Sequence, residues 1–240
     1  MDPKFVAVIP ASAPGQHLVV LVSQLQELGF RVLVVDDGGA PETQALFAAC
    51  EEVGLVLRHD GPRGKGAALK TAFAWLAENE QPPYAVVTLN ADGSYKAEDA
   101  LRLCRAVTAM PEPFFLGSRR LDGNLLSRSK LGNGLSRRAF RAATGVGVYD
   151  TRTGLRAFSS ALLEDLLTLE GEGPEYEMNV LLAMAGQRPV IELPIEALSA
   201  PARKRASLRE SLRVGRSLFR CRLSRLSWAG KARAGEHGLA

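Results

Sequence analysis

Five short apolar runs alternate with helical patterns through the first half of the chain, and each run stops at a polar or glycine-rich segment. The runs are residues 5–10, 31–35, 54–57, 84–89 and 114–116. Between them lie helical patterns over 17–28, 41–52, 67–78 and 97–109. The first shows the spacing clearly, with Leu18, Leu21, Leu25 and Leu28 on one face and Gly29 as its stop. Pro41 stands near the first turn of the second. Short apolar strands that alternate with helices specify an α/β fold, a mainly parallel sheet covered by helices on both faces. The second half reads as more helical, with helices over 127–143 and 176–185, a run at 155–158 and a last strand over 189–195.

A parallel sheet binds ligands at the carboxyl ends of its strands. Here the polar signatures fall directly after strands: Asp36-Asp37-Gly38-Gly39, the Gly-rich loop 59–66, Asn90-Ala91-Asp92-Gly93 and Gly117-Ser118-Arg119. They are therefore expected to meet on one rim. No Gly-x-Gly-x-x-Gly follows the first strand, and Arg63-Gly64-Lys65-Gly66 lacks the spacing of a Walker A loop. Dinucleotide and P-loop folds are disfavoured.

Each rim segment admits two readings. Asp36 and Asp37 either accept a hydrogen bond from a bound base or cap the helix that follows. Lys65 brings positive charge to a helix N-terminus, where an anion is favoured, or the loop is a plain turn. Asp92 offers a carboxylate to a divalent cation and Asn90 a neutral oxygen, or the segment is an Asx turn. Arg119, Arg120 and Arg128 suit phosphate, although any one is more often a solvated charge. Glu175 and Glu177 are an acid/base pair or favourable charges at a helix start. His17, His59 and His237 show no ligand spacing and receive no role.

The net charge of +4 hides two parts. Residues 1–202 hold 19 Lys and Arg against 24 Asp and Glu, whereas residues 203–240 hold 11 against two. The expected organisation is an acidic globule, 1–202, and a basic C-terminal tail, 203–240. In the tail Leu208, Leu212, Phe219, Leu223 and Leu226 share a helical stripe flanked by arginines, and Trp228 follows. That pattern suits an anionic membrane surface through 203–228, or a helix docked on the globule or on a second subunit. Nucleic acid is not expected, because the globule would repel it. The three cysteines are odd in number and widely spaced, as in a reducing compartment. No secretory leader and no transmembrane helix are expected.

The ordered set Val-Ile-Pro-Ala (8–11), Val-Val-Asp-Asp-Gly (34–38), Arg-Gly-Lys-Gly-Ala-Ala-Leu (63–69), Ala-Asp-Gly (91–93), Gly-Ser-Arg (117–119), Asp-Thr-Arg-Thr-Gly-Leu-Arg-Ala-Phe (150–158), Tyr-Glu-Met (176–178) and Glu-Leu-Pro-Ile-Glu (192–196) resembles family-two glycosyltransferases. The similarity is greatest to the dolichyl and polyprenyl-phosphate sugar synthases. It spans residues 4–213. It implies a GT-A fold, a nucleotide-sugar donor, a Mg²⁺ or Mn²⁺ ion and a polyprenyl-phosphate acceptor. It also implies inverting transfer of a hexose, by an enzyme that is cytoplasmic and peripheral at the inner face of the membrane. Carried over, Pro10, Ala11, Asp36, Asp37, Gly38, Lys65, Asn90 and Asp92 line the donor site. Asp92, with Asn90 as a weak second ligand, holds the metal. Asp92, Arg119 and Arg128 are the catalytic candidates. Three places depart from the family pattern: Ser12-Ala13 where Tyr-Asn is usual, Asn90 where Asp is usual, and a faint acceptor loop at Lys204-Arg205-Ala206-Ser207. A catalytically weakened binding or scaffold protein, and a soluble transferase with a non-lipid acceptor, are the alternatives.

Overall fold

In the computed structural model, β1 (Lys4–Ala11) is the axis of the fold, pairing in parallel with β2 (Phe30–Asp36) on one side and β4 (Tyr84–Thr88) on the other. The structure describes residues 4–119, 128–196, 198 and 215–216, with 128–133 and 135 as backbone. β3 (Leu55–Arg58) extends the sheet beyond β2. The full order is β3-β2-β1-β4-β6-β5-β7, with β5 (Phe114–Arg119), β6 (Arg156–Ser159) and β7 (Val190–Ile195) completing it. All pairings are parallel except those of β6, which runs antiparallel to both β4 and β5.

The helices follow the sequence pattern closely: α1 (His17–Glu27), α2 (Gln44–Glu51), α3 (Lys65–Asn79), α4 (Ala97–Ala109), α5 (Arg128–Thr144), α6 (Leu163–Thr168) and α7 (Glu175–Gln187). Two details differ from expectation. The segment 41–43 is a separate 3₁₀ turn before α2. α6 was not anticipated, because at six residues it is too short to show a periodic stripe.

Strand periodicity divides the core in two. Val6, Val8, Leu33, Val35, Val86, Phe114 and Phe158 pack on one face, with α3, α6 and α7. Ala7, Ile9, Val32, Val34, Val87, Phe115 and Ala157 pack on the other, with α1, α2 and α4. Alternate residues of one strand thus serve opposite layers, as period two requires. Strands buried on both faces must read as continuous apolar runs, and that is why the sequence declared them. Cys50 and Cys104 are buried free thiols. Burial pushes the Cys104 thiol far above its ordinary value and keeps it inert.

Candidate active site

The carboxyl ends of β1, β2, β4 and β5 lie on one rim, as the strand-end signatures predict. Pro10 and Ala11 end β1, and the backbone N–H of Asp37 donates to Ala11 O at 2.8 Å. The antiparallel strand β6 begins where its parallel neighbours end. It therefore delivers the loop Asp150-Thr151-Arg152-Thr153-Gly154 to the same rim.

Asp36 and Asp37 are both buried and both organise loops. Asp36 Oδ1 accepts from the Gly39 N–H at 2.7 Å, and Asp36 Oδ2 from Gln44 at 3.2 Å and Arg58 at 3.5 Å. Asp37 Oδ1 accepts from the Arg63 N–H at 2.8 Å and Oδ2 from the Gly64 N–H at 2.9 Å. His59 Nδ1 lies 2.9 Å from Asp37 Oδ1, and His59 Nε2 lies 2.9 Å from Thr71 Oγ1. His59, given no role from sequence, braces this carboxylate, and nothing in its local spacing signals that. Burial pushes the Asp37 carboxyl up, but the Arg63 N–H, the His59 side chain and the Gly64 N–H hold it below the usual carboxylate range. Gly38 turns the chain at φ 67° beneath the Gly61–Pro62 backbone. A cleft of about 410 Å³ opens beside this loop, lined by residues 58–63.

Lys65 is the first residue of α3, preceded by Gly64 at φ 106°. Its ammonium donates to Asn90 Oδ1 at 2.8 Å and to Glu177 Oε2 at 2.6 Å. Three elements meet there: the start of α3, the loop after β4 and the first turn of α7. Glu177 thus pairs across the fold, whereas Glu175 Oε1 accepts from the nearby Gly173 N–H at 3.1 Å. Glu175 is the first residue of α7, a helix start where a negative charge is favourable. The Ala67 N–H donates to Glu172 O at 2.9 Å and joins the starts of α3 and α7.

Asn90 is buried, at 5% exposure. A Cβ on Gly154 would strike its amide, so only glycine fits behind it. Asp92 Oδ1 accepts from the Ser94 N–H at 3.1 Å and from the Ser94 hydroxyl, which is an Asx turn. Among the described residues no three His, Cys, Asp or Glu side chains gather as a metal cluster. The expected Mg²⁺ or Mn²⁺ at Asn90 and Asp92 therefore rests on one carboxylate and on an amide oxygen already engaged by an ammonium. That donor set does not fit a resident hard cation, which seeks several anionic oxygens.

Arg119 ends β5 and is bidentate to Asp150, with Nε–Oδ2 2.8 Å and Nη2–Oδ1 3.3 Å. Burial alone would lower the guanidinium's proton affinity. The bond to Asp150 and the fields of Tyr95, Asp150 and Asp92 raise it instead. Asp150 and Tyr149 donate their backbone N–H groups to Glu192 of β7 at 2.9 and 2.7 Å. Arg156, buried at the start of β6, donates to Thr153 O at 3.0 Å and to Glu177 O. Arg128 lies in the first turn of α5, while Arg120 lies outside the described residues, as does the tail 203–240 apart from 215–216.

Residues 14–166 match the family described as Glycosyl transferase family 2. The chain is 30% identical over 187 residues to glycosyltransferase AglJ of Haloferax volcanii, over 76% of this chain and 59% of that relative. It is 29% identical over 209 residues to polyprenol monophosphomannose synthase of Mycolicibacterium smegmatis, over 78% of this chain and 75% of the relative. Glucosyl-3-phosphoglycerate synthase of Mycobacterium tuberculosis, crystallised with Mn²⁺, UDP and glucosyl-3-phosphoglycerate, shares the fold at a TM-score of 0.64 and 18% identity, over 93% of this chain and 80% of that one.

Proposed function

The chain belongs to glycosyl transferase family 2, and on that premise we propose that it moves a hexose from a nucleotide-sugar donor to a polyprenyl-phosphate acceptor with inversion at the sugar. The observation that carries the reading is the convergence of Asp37, Lys65, Asn90, Asp92 and Arg119 on one rim. That rim offers positive charge at a helix N-terminus to a diphosphate. The similarity to polyprenol monophosphomannose synthase supports the acceptor class.

In this reading Pro10, Ala11, Asp36, Asp37 and Gly38 line the nucleoside pocket. Asp36 and Asp37 act chiefly by fixing the loops 36–39 and 61–64. A carboxylate has about four lone-pair sites, so each keeps capacity for a base N–H. Lys65 faces the diphosphate. Arg119, held by Asp150, and Arg128 orient the acceptor phosphate. Asp92 stands in the field of Arg119 on the same rim.

The reaction needs little proton transfer, because a phosphate monoester is already ionised at neutral pH. An acceptor phosphate oxygen attacks the anomeric carbon, and the bond from that carbon to the diphosphate oxygen breaks. The electron pair leaves with the nucleoside diphosphate. Positioning and neutralisation of the leaving group supply the catalysis. The basic segment 203–228 would hold the enzyme at the cytoplasmic face of an anionic membrane. Among the described residues no helix is long and apolar enough to cross one.

The test is transfer of label from a panel of UDP- and GDP-hexoses to polyprenyl phosphate in detergent micelles. Label in the lipid phase is expected. Label on a water-soluble phosphorylated acceptor, with none in lipid, would overturn the acceptor assignment. A binding protein with weak turnover is the second reading, favoured by the uncharged Asn90. It requires activity to emerge in Asn90→Asp that the parent lacks.

A further inference from the structure

We infer that the Lys65 ammonium, seated on Asn90, takes the place of a divalent cation opposite the donor diphosphate, so that nucleoside diphosphate binding by this chain needs no metal. The inference rests on the donor class proposed above.

An ammonium only donates, so the Asn90 atom 2.8 Å from Lys65 Nζ must be the amide oxygen. The amide nitrogen is then turned away, and among the described residues it is buried without a hydrogen-bond partner. A buried donor left unpaired costs about 1–3 kcal/mol. The amide oxygen is thus committed to lysine, while the nitrogen is enclosed beside Gly154.

The geometry also sets lysine and metal in competition. A hard cation binds carbonyl oxygens at about 2.0–2.6 Å. An ion on Asn90 Oδ1 would stand within about 5 Å of the ammonium, where two like charges repel. Gly154 packs against the amide, where even a Cβ would collide, and Glu177 grips the ammonium from α7 at 2.6 Å. Lysine therefore holds the position that a chelated ion would need.

Charge points the same way. An aspartate at position 90 would add a second carboxylate beside Glu177 at one ammonium. Such a site would repel a diphosphate unless a divalent ion came with it. Asn90 removes one negative charge 2.8 Å from the lysine. The Lys65 side chain, 24% exposed, carries its charge to the rim surface from the N-terminus of α3, whose partial positive charge adds to it. Asn90 is a positioning residue in this scheme, and Lys65 is the group that meets phosphate.

The experiment is isothermal titration of the full chain with UDP, GDP, CDP and ADP, in excess EDTA and in millimolar Mn²⁺. At least one nucleoside diphosphate is expected to bind, with a Kd that differs less than about threefold between the two conditions. Lys65→Gln keeps a hydrogen-bond donor for Asn90 but loses the charge, and should weaken binding in EDTA about 10- to 100-fold. Asn90→Asp should make binding depend on Mn²⁺ by about tenfold or more. Circular dichroism of each variant confirms the fold. Binding that is lost in EDTA and restored by Mn²⁺ overturns the inference and leaves the donor reading intact. Parental affinity in Lys65→Gln also overturns it. If no nucleotide binds under either condition, the donor reading and the inference fall together.

Discussion

Arg119 Nε donates to Asp150 Oδ2 at 2.8 Å, and this one contact ties the end of β5 to the loop that enters β6. Asp150 is almost wholly buried and is itself fixed from below by Glu192. Arg119 therefore reaches the rim already oriented, by a relay that runs from β7 through a turn to β5.

Asp150→Ala breaks that relay and leaves a largely buried guanidinium without its partner. We expect a loss of about 3 kcal/mol, at the low end for a buried pair because the Arg119 side chain keeps partial exposure. Urea denaturation of the variant measures it. Arg119→Lys restores the charge without the bidentate fork, and should lower kcat for transfer more than it lowers stability.

Asp37 predicts a pH signature. Its folded carboxyl titrates below the ordinary value of 3.8. The stabilisation from its ionised form is thus fully present above about pH 4, and is lost as pH falls through the depressed folded value. Asp37→Asn should cost about 1–3 kcal/mol at pH 7. The gap between parent and variant should close in acid. Urea midpoints measured from pH 7 down to pH 2.5 test this, and a gap that stays constant across that range would refute it.

Gly64→Ala should destabilise by about 1–3 kcal/mol. The residue sits at φ 106°, and an added Cβ would lie 2.5 Å from Glu172 O. The change would also part the starts of α3 and α7, and so move Lys65 from Glu177. The expected result is a fall in thermal midpoint with a further loss of nucleotide affinity. An unchanged midpoint would contradict the close packing of these two helix starts.

Deletion of residues 203–240 tests the membrane assignment. The tail carries 11 Lys and Arg, each worth about 1 kcal/mol near an anionic leaflet. Sedimentation with phosphatidylglycerol vesicles should capture the full chain and not the truncated one. Salt should release the full chain. Equal, negligible sedimentation of both would favour a soluble acceptor.

The strands and the rim were legible because both are local. A strand buried on two faces must be an apolar run, and the residues that follow a parallel strand must sit at its open end. Asp37, Lys65, Asn90 and Arg119 could thus be grouped from sequence. What could not be read is which partner each side chain takes. His59 meets Asp37 across 22 residues, and Lys65 meets Glu177 across 112. Neither spacing has a period or a motif to announce it. The part played by Asp150 depended on β6 running antiparallel, and a four-residue segment does not state its direction. Arg120 and most of the tail lie outside the described residues, and their proposed roles stand on sequence.

The reversal of β6 has a consequence for how such an enzyme can be altered. The chain leaves the sheet at Arg119 and returns at Arg156 on the neighbouring strand, with Leu116 opposite Arg156. The excursion between them starts and finishes at adjacent points of a rigid frame. It nevertheless buries Phe140, Val148 and Leu155 in the core and sets Gly154 against Asn90, so only its remaining positions are free to vary. Residues 120–155 are the stretch by which the chain departs from the sheet and rejoins it beside the rim. Transplanting that segment between relatives is the direct way to ask whether acceptor choice travels with it.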